Sequence, residues 1–249
     1  EAWKLLTADV LQLDGCIAPS RYFGQLMAER LNLDASKVLY HPNGITTEGF
    51  LPVEDSPHKP TLGFLARLCP LKGLDILVDA FIILKNSGEH SELCLEIAGG
   101  MTDEDEPFVK EQKSKLADAG YSNCSTFHPN IKREEKLTFL RDLSVFSVPS
   151  RYAEAFGLYV VEALDAGTPV VLPKSGAFPE IVENTNGGII YEDNTSAALA
   201  QSLGELLQDI DSLNEMGRVG REAVLHKYSN EHLAHSLIDN ILAPALANF

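Results

Sequence analysis

With 249 residues, 45% of them hydrophobic and 22% charged, the chain can bury a substantial core and suits one large domain, or one domain with part of another. A formal net charge of -16 excludes a large nucleic-acid surface and argues against a polybasic patch that would hold the chain on anionic lipid. No apolar run has the length of a membrane span, and the opening EAWKLLTADV does not read as a signal peptide.

Residues 1–36 supply one strand, CIAP (16–19), and one helix, SRYFGQLMAERLNL, with Ser20 as its N-cap. A strand and a helix cannot make a core of their own. Together with the absence of an initial Met, this leads us to expect the tail of a preceding domain missing from the chain. HPNGITTEGFLPVEDSPHKP (41–60) follows, and its Pro and Gly content reads as a linker or domain boundary. Strands are then expected at TLGFLA (61–66), CLEIAG (94–99), STFH (125–128), LSVFSVP (143–149), PVVLP (169–173) and GGIIYE (187–192). Several are continuously apolar, as in a parallel sheet covered on both faces. Helical spacing recurs between them, as with Leu74, Leu77, Val78, Phe81 and Leu84, and again over 106–119, 133–142, 157–166 and 195–208. Two long helical patterns, 210–227 and 229–243, close the chain. The alternation predicts an α/β fold with a doubly wound, Rossmann-like parallel sheet. TDEDE (102–106) reads as a solvated acidic turn. Cys16, Cys69, Cys94 and Cys124 lack metal or redox spacing and read as buried, reduced thiols of a cytoplasmic protein.

In such a sheet ligands bind outside the carboxyl ends of the strands, so the loops after strands carry the candidate chemistry. In ARLCPLKG (66–73), Arg67 leaves a strand and Lys72 enters a helix; the two read either as a phosphate site or as a pair of surface charges. In SRYAEAFG, running into LYVVEALDAG, Gly157 lets the backbone approach a ligand and Glu154 faces the crevice. Glu162 sits on the helix, among residues that favour burial, where a carboxylate can accept from two neighbouring sugar hydroxyls. The alternative is a Glu154 that only favours a helix N-terminus and a Glu162 that is solvated. AGG (98–100) and FHPNIKREEKL (127–137) are less specific, no GxGxxG occurs, and no catalytic triad or metal-ligand spacing is found.

The set ARLxxxKG, AGG, VPSRYAEAFGLYVVEALDAGTPVV and SGAFPEIVENTNGGIIYE resembles glycosyltransferase family 4 over roughly residues 16–230, most specifically in the E-x7-E motif from Glu154 to Glu162. The resemblance implies the C-terminal donor-binding half of a two-domain, B-type glycosyltransferase fold. Residues 1–40 would be the tail of an absent acceptor domain plus linker, 41–228 the nucleotide-sugar domain, and 229–249 a helix crossing back. It further implies a retaining, metal-independent transfer without a cofactor, from a nucleotide-sugar donor to a sugar, lipid-linked or small-molecule acceptor. Arg67 and Lys72 would hold the leaving diphosphate and Glu154 the transferred sugar. Ala155, Phe156, Gly157 and Leu158 would approach sugar and phosphate, Glu162 would bind the ribose, and Gly99 and main chain near Ile131 would lie by the donor. Peripheral membrane contact through the absent domain, and a neighbouring chain over exposed apolar segments, are the remaining partners this implies. Three departures stand out: Ala66 and Pro129 where the family favours Gly, and one extra residue between Pro149-Ser150 and Glu154. Competing readings are a nucleotide-sugar epimerase or phosphorylase of the same fold, and a non-catalytic nucleotide-binding module.

Overall fold

The computed structural model describes residues 6–7, 9–10, 12–47, 49 and 59–246, with the side chains of 245 and 246 excepted. Half of the expected linker, residues 48 and 50–58, lies outside them. Among the described residues there are two sheets, and the smaller is formed by β1 (Cys16–Ala18) and β2 (Val38–Tyr40), parallel and joined by α1 (Arg21–Leu31). Sequence reading found β1 and α1 but not β2, because VLY is too short to show a period and runs straight into the Pro-Gly segment. Ser20 caps α1 as expected, accepting from the Phe23 amide at 2.9 Å.

The larger sheet has six strands: β3 (Thr61–Leu65), β4 (Cys94–Gly99), β5 (Ser125–Pro129), β6 (Val145–Phe146), β7 (Val170–Pro173) and β8 (Gly188–Tyr191). They run in the order β5-β4-β3-β6-β7-β8, and every pairing is parallel. Every residue of β3 and of β7 is buried, which explains their unbroken apolar sequence. The expected strand at 143–149 shortens to two residues, since only those two pair with neighbours.

The layers are filled by α2 (Leu74–Asn86), α3 (Glu106–Asp118), α4 (Arg133–Arg141), α5 (Leu158–Asp165), α6 (Phe178–Thr185), α7 (Ser196–Leu207) and α8 (Ile210–Lys227). Leu74, Leu77, Val78, Phe81 and Leu84 of α2 are buried, as their spacing required, and α2 packs on α7. The eight-residue α6, with Pro179 in its first turn, was not anticipated; its pattern is short and its proline reads first as a loop signal. The last expected helix is interrupted. α9 (Asn230–Leu237) passes into a π turn, Ile238–Leu242, before α10 (Ala243–Leu246). The ring and missing N–H of Pro244 disfavour a regular turn there, and the Ala243 amide reaches Ile238 O instead. All four cysteines are free and half-buried rather than buried.

The strand order reverses between β3 and β6, each successor having crossed to the opposite side of the sheet. Loops leaving these two strands therefore part and leave a crevice between them. Gly99, at the end of β4, holds the crossing close. Its φ is +144°, and a Cβ there would lie 1.7 Å from Ala66 O. Gly99 O accepts from the Asn130 amide at 2.8 Å, so this glycine links the loops after three strands. We expect Gly99→Ala to destabilise the chain by about 2–4 kcal/mol through this clash and the strained φ. A urea midpoint equal to the parent's would refute it.

Candidate functional site

The loop after β3 carries Arg67 and ends in a tight turn, Pro70–Lys72, closed by Gly73 at φ 74°. A side chain at Gly73 would strike Pro149 O, so the glycine permits this loop to lie directly on the loop after β6. Arg151 fastens the two, donating to both Asp75 carboxylate oxygens at 2.7 and 2.6 Å and to Pro70 O at 2.6 Å. Asn194 supports the second loop from below, donating to Pro149 O at 3.2 Å and Ser150 O at 3.0 Å.

Across this junction the Lys72 ammonium donates to Glu154 Oε1. The same oxygen accepts from the Tyr159 hydroxyl at 2.9 Å and the Ser150 hydroxyl at 3.3 Å, and Glu154 is buried. Lys72 also lies 5.4 Å from the Tyr152 ring centre and 5.6 Å from that of Tyr159. Burial raises the Tyr159 hydroxyl well above its ordinary pKa, and the Glu154 charge adds to this, so Tyr159 remains a donor. The backbone around Glu154 is held as firmly: its carbonyl accepts from the Ala177 amide at 3.0 Å, and Gly176 (φ 58°) leaves room for both groups.

Arg67 and Lys72 were expected to converge, yet each is held by its own carboxylate. Arg67 forks onto Asp105, with both contacts at 3.2 Å, while more than half of its side chain stays exposed. Asp105 corrects the expectation of a solvated acidic turn. It is buried and also accepts from the Thr102 amide and hydroxyl, each at 2.9 Å. The Thr102 amide bond, then Arg67, hold its carboxyl below the usual range. Glu162, on α5, is mostly covered and pairs with Lys136 of α4. Gly157 starts α5 at φ 109° with no side chain capping that end. Leu158 beside it is exposed, Ala155 is half-buried, and Phe156 is buried, its ring 6.0 Å from that of Tyr228. Ile131 lines a separate cleft with Glu96, His128 and Phe139.

The structure thus brings Lys72 to Glu154 directly, and places Arg67 on the loop after β3, Gly99 at the end of β4, Gly157 at the start of α5 and Glu162 within α5. Asp105, Tyr159, Ser150 and Lys136 were missed. Tyr159 follows Glu154 by five residues and carries a polar tip in an apolar run, a usable signal, and Ser150 precedes Glu154 by four; Asp105 and Lys136 take their partners from distant segments.

A fully parallel, doubly wound sheet with cations and carboxylates gathered at its switch point is the arrangement of a B-type glycosyltransferase domain. The chain belongs to the family described as glycosyl transferases group 1, whose model matches residues 52–223. It is 28% identical over 221 residues to a GDP-mannose-dependent alpha-(1-6)-phosphatidylinositol monomannoside mannosyltransferase of Mycobacterium tuberculosis, covering 82% of this chain and 56% of that protein. It is 32% identical over 190 residues to a D-inositol 3-phosphate glycosyltransferase of Nocardia farcinica, covering 76% of this chain and 41% of that one. The chain therefore spans about half the length of the curated relatives it matches. Its backbone superposes on sucrose-phosphate synthase from Thermosynechococcus elongatus with a TM-score of 0.83 at 22% identity, over 99% of this chain and 62% of that one. Among the described residues no helix is long and apolar enough to cross a membrane.

One buried acid beneath the site titrates abnormally. Asp165, in the last turn of α5, is fully buried, and neither carboxylate oxygen has a hydrogen-bond partner. Burial pushes its pKa up to about 7, opposed by the Arg221 charge and assisted by that of Glu162. The unfolded chain releases this proton near pH ~4 and the folded one only near neutrality, so this group costs stability as pH rises across that window. Asp165→Asn should flatten the stability profile between pH 4 and 7 and raise the melting temperature at pH 8. Unchanged or lower melting at pH 8 would contradict this.

Proposed function

We propose that the chain is the donor-binding part of a retaining glycosyltransferase, taking a glycosyl group from a nucleotide-sugar and passing it to an acceptor. The observation that carries this reading is the mostly covered Lys72–Glu154 pair at the switch point, beside the start of α5, which no side chain caps. A donor diphosphate lying across the junction meets Lys72, Arg67 and the α5 amides. Arg67 turns from Asp105 toward the diphosphate, since more than half of the Arg67 side chain is exposed and Asp105 keeps its two hydrogen bonds from Thr102. Lys72 stays with Glu154 through one proton and offers the others to phosphate. As the bond from the sugar to the diphosphate breaks, the two cations stabilise the departing charge, so the reading requires no metal ion. Removing one such donor costs about 3 kcal/mol in the barrier at comparable anion sites.

Glu154, with one oxygen committed to Lys72, Tyr159 and Ser150, turns the other toward the transferred sugar's hydroxyls. Glu162 takes the ribose hydroxyls, with Lys136 holding its carboxylate in place. Gly157 and its neighbours Ala155, Phe156 and Leu158 let the backbone close on sugar and phosphate, Gly99 shapes the crevice floor, and Ile131 marks the side toward the base. The acceptor, a sugar, lipid-linked or small molecule, is bound by a further domain, through which membrane contact also arises. The four free thiols suit a reducing compartment such as the cytoplasm.

Calorimetric titration with UDP, GDP, ADP and dTDP tests this. We expect selective binding of one nucleotide, weakened at least about tenfold in Glu162→Ala through loss of its charge-assisted hydrogen bonds. Equal binding by the parent and Glu162→Ala would remove Glu162 from the site, and no binding by the parent would overturn the donor-site reading.

A further inference from the structure

The loop that carries Glu154 is held from two sides, and the two supports are fastened to each other. On one side, the start of α6 donates through the Ala177 amide to Glu154 O at 3.0 Å. On the other, the Ser20 hydroxyl at the start of α1 donates to the next carbonyl, Ala155 O, at 2.7 Å. Ser20 is buried, and the same oxygen accepts from the Phe23 amide, so its proton is directed toward Ala155. The first turn of α1 contains no acidic residue of its own. Its two leading amides, Arg21 and Tyr22, instead donate to the two carboxylate oxygens of Glu180 at 2.9 and 2.6 Å. Glu180 stands in the first turn of α6.

One carboxylate therefore neutralises the start of α1 from a helix far along the chain, and in doing so sets the distance between α1 and α6. The aromatic groups around it tighten the same joint. Arg21 lies 5.3 Å over the Tyr40 ring, Tyr228 neighbours Tyr40, and the Tyr228 ring packs against Phe156 of the donor loop. Burial, the neighbouring Tyr228 and the Glu180 charge all push the Tyr40 hydroxyl above its ordinary pKa, so it remains protonated as a donor. The circuit α6–Glu154–Ala155–α1–Glu180–α6 is closed.

We propose that Glu180 is a positioning residue: by clamping α1 to α6 it fixes the Ala155 and Glu154 carbonyls, and with them the segment 154–157 that meets the transferred sugar. This rests on the donor-site reading above. It adds that the segment before the linker acts on the donor loop directly, through Ser20, rather than by domain packing in general. A clamp of this kind affects the sugar half of the donor, whereas a defect in overall stability would weaken every part of it alike.

The test uses the full chain, with Glu180→Ala, Glu180→Gln and Ser20→Ala. Hydrogen exchange is read first, because it needs no ligand. We expect peptides covering 21–24 and 151–160 to exchange at least tenfold faster in Glu180→Ala, with Glu180→Gln intermediate, while strands 61–65 and 94–99 keep the parent's protection. Unchanged exchange over 151–160 would overturn the proposal, as would equal acceleration in the strands. Titration then compares UDP with UDP-glucose and GDP with GDP-mannose. The expected result is a loss for the sugar nucleotide at least fivefold greater than for the bare diphosphate, reproduced by Ser20→Ala. Equal losses would reduce Glu180 to a structural residue. If the parent bound none of the four, the donor-site reading would fall, while the exchange result would still decide whether Glu180 holds the loop.

Discussion

Two short loops, leaving strands β3 and β6 at the point where the strand order reverses, have to lie on one another in a space with no room for a side chain between them. The rest of the site follows from that contact. Gly73 lies against Pro149 O and Gly99 against Ala66 O because the backbones cross there. Arg151 and Asn194 then spend their side chains on loop carbonyls and on Asp75, which rigidifies the junction without entering the crevice. Only when these are in place can Lys72 of one loop reach Glu154 of the other.

Charge in the crevice is arranged in pairs. Asp105 holds Arg67, Glu154 holds Lys72 and Glu162 holds Lys136, so a chain of net charge -16 keeps a locally balanced site. The pairs are not equivalent. Arg67 is largely exposed, and its ion pair is readily exchanged for another anion. Lys72 and Glu154 are mostly covered, and desolvating them is tolerable only because Tyr159 and Ser150 complete the hydrogen bonding of the carboxylate. On the proposed reading, exchange of partner at Arg67 and retention at Lys72 together let a fixed site accept an anion without rebuilding itself.

Residues 41–45 and the start of α9 meet beside the same place. Ile45 pairs with Ser229, and His41 bonds to Leu233 O at 2.9 Å, so the segment leading into the linker runs beside the last helices. Through Ser20 and Glu180 that assembly touches the donor loop directly. A change in how the N-terminal segment sits therefore has a short mechanical route to Glu154, made of hydrogen bonds rather than of general packing.

The parallel sheet was legible because burial on both faces leaves an unbroken apolar run, and α2 because five apolar residues repeat at helical spacing. Arg67, Lys72, Glu154, Gly157 and Glu162 were legible as residues, since their positions after strands and at helix starts follow from local pattern. The sequence by itself thus determined the longer elements and which end of the sheet carries the polar loops. It could not determine the partners. Asp105 lies 38 residues from Arg67, Glu154 82 from Lys72, and Glu180 159 from Arg21. Strand β2 and helix α6 are likewise too short to show a period, and they exist because neighbours pair with or pack on them. Only the tertiary structure decided these, because such separations are closed by the strand order, and the strand order is a property of the whole sheet rather than of any stretch of chain.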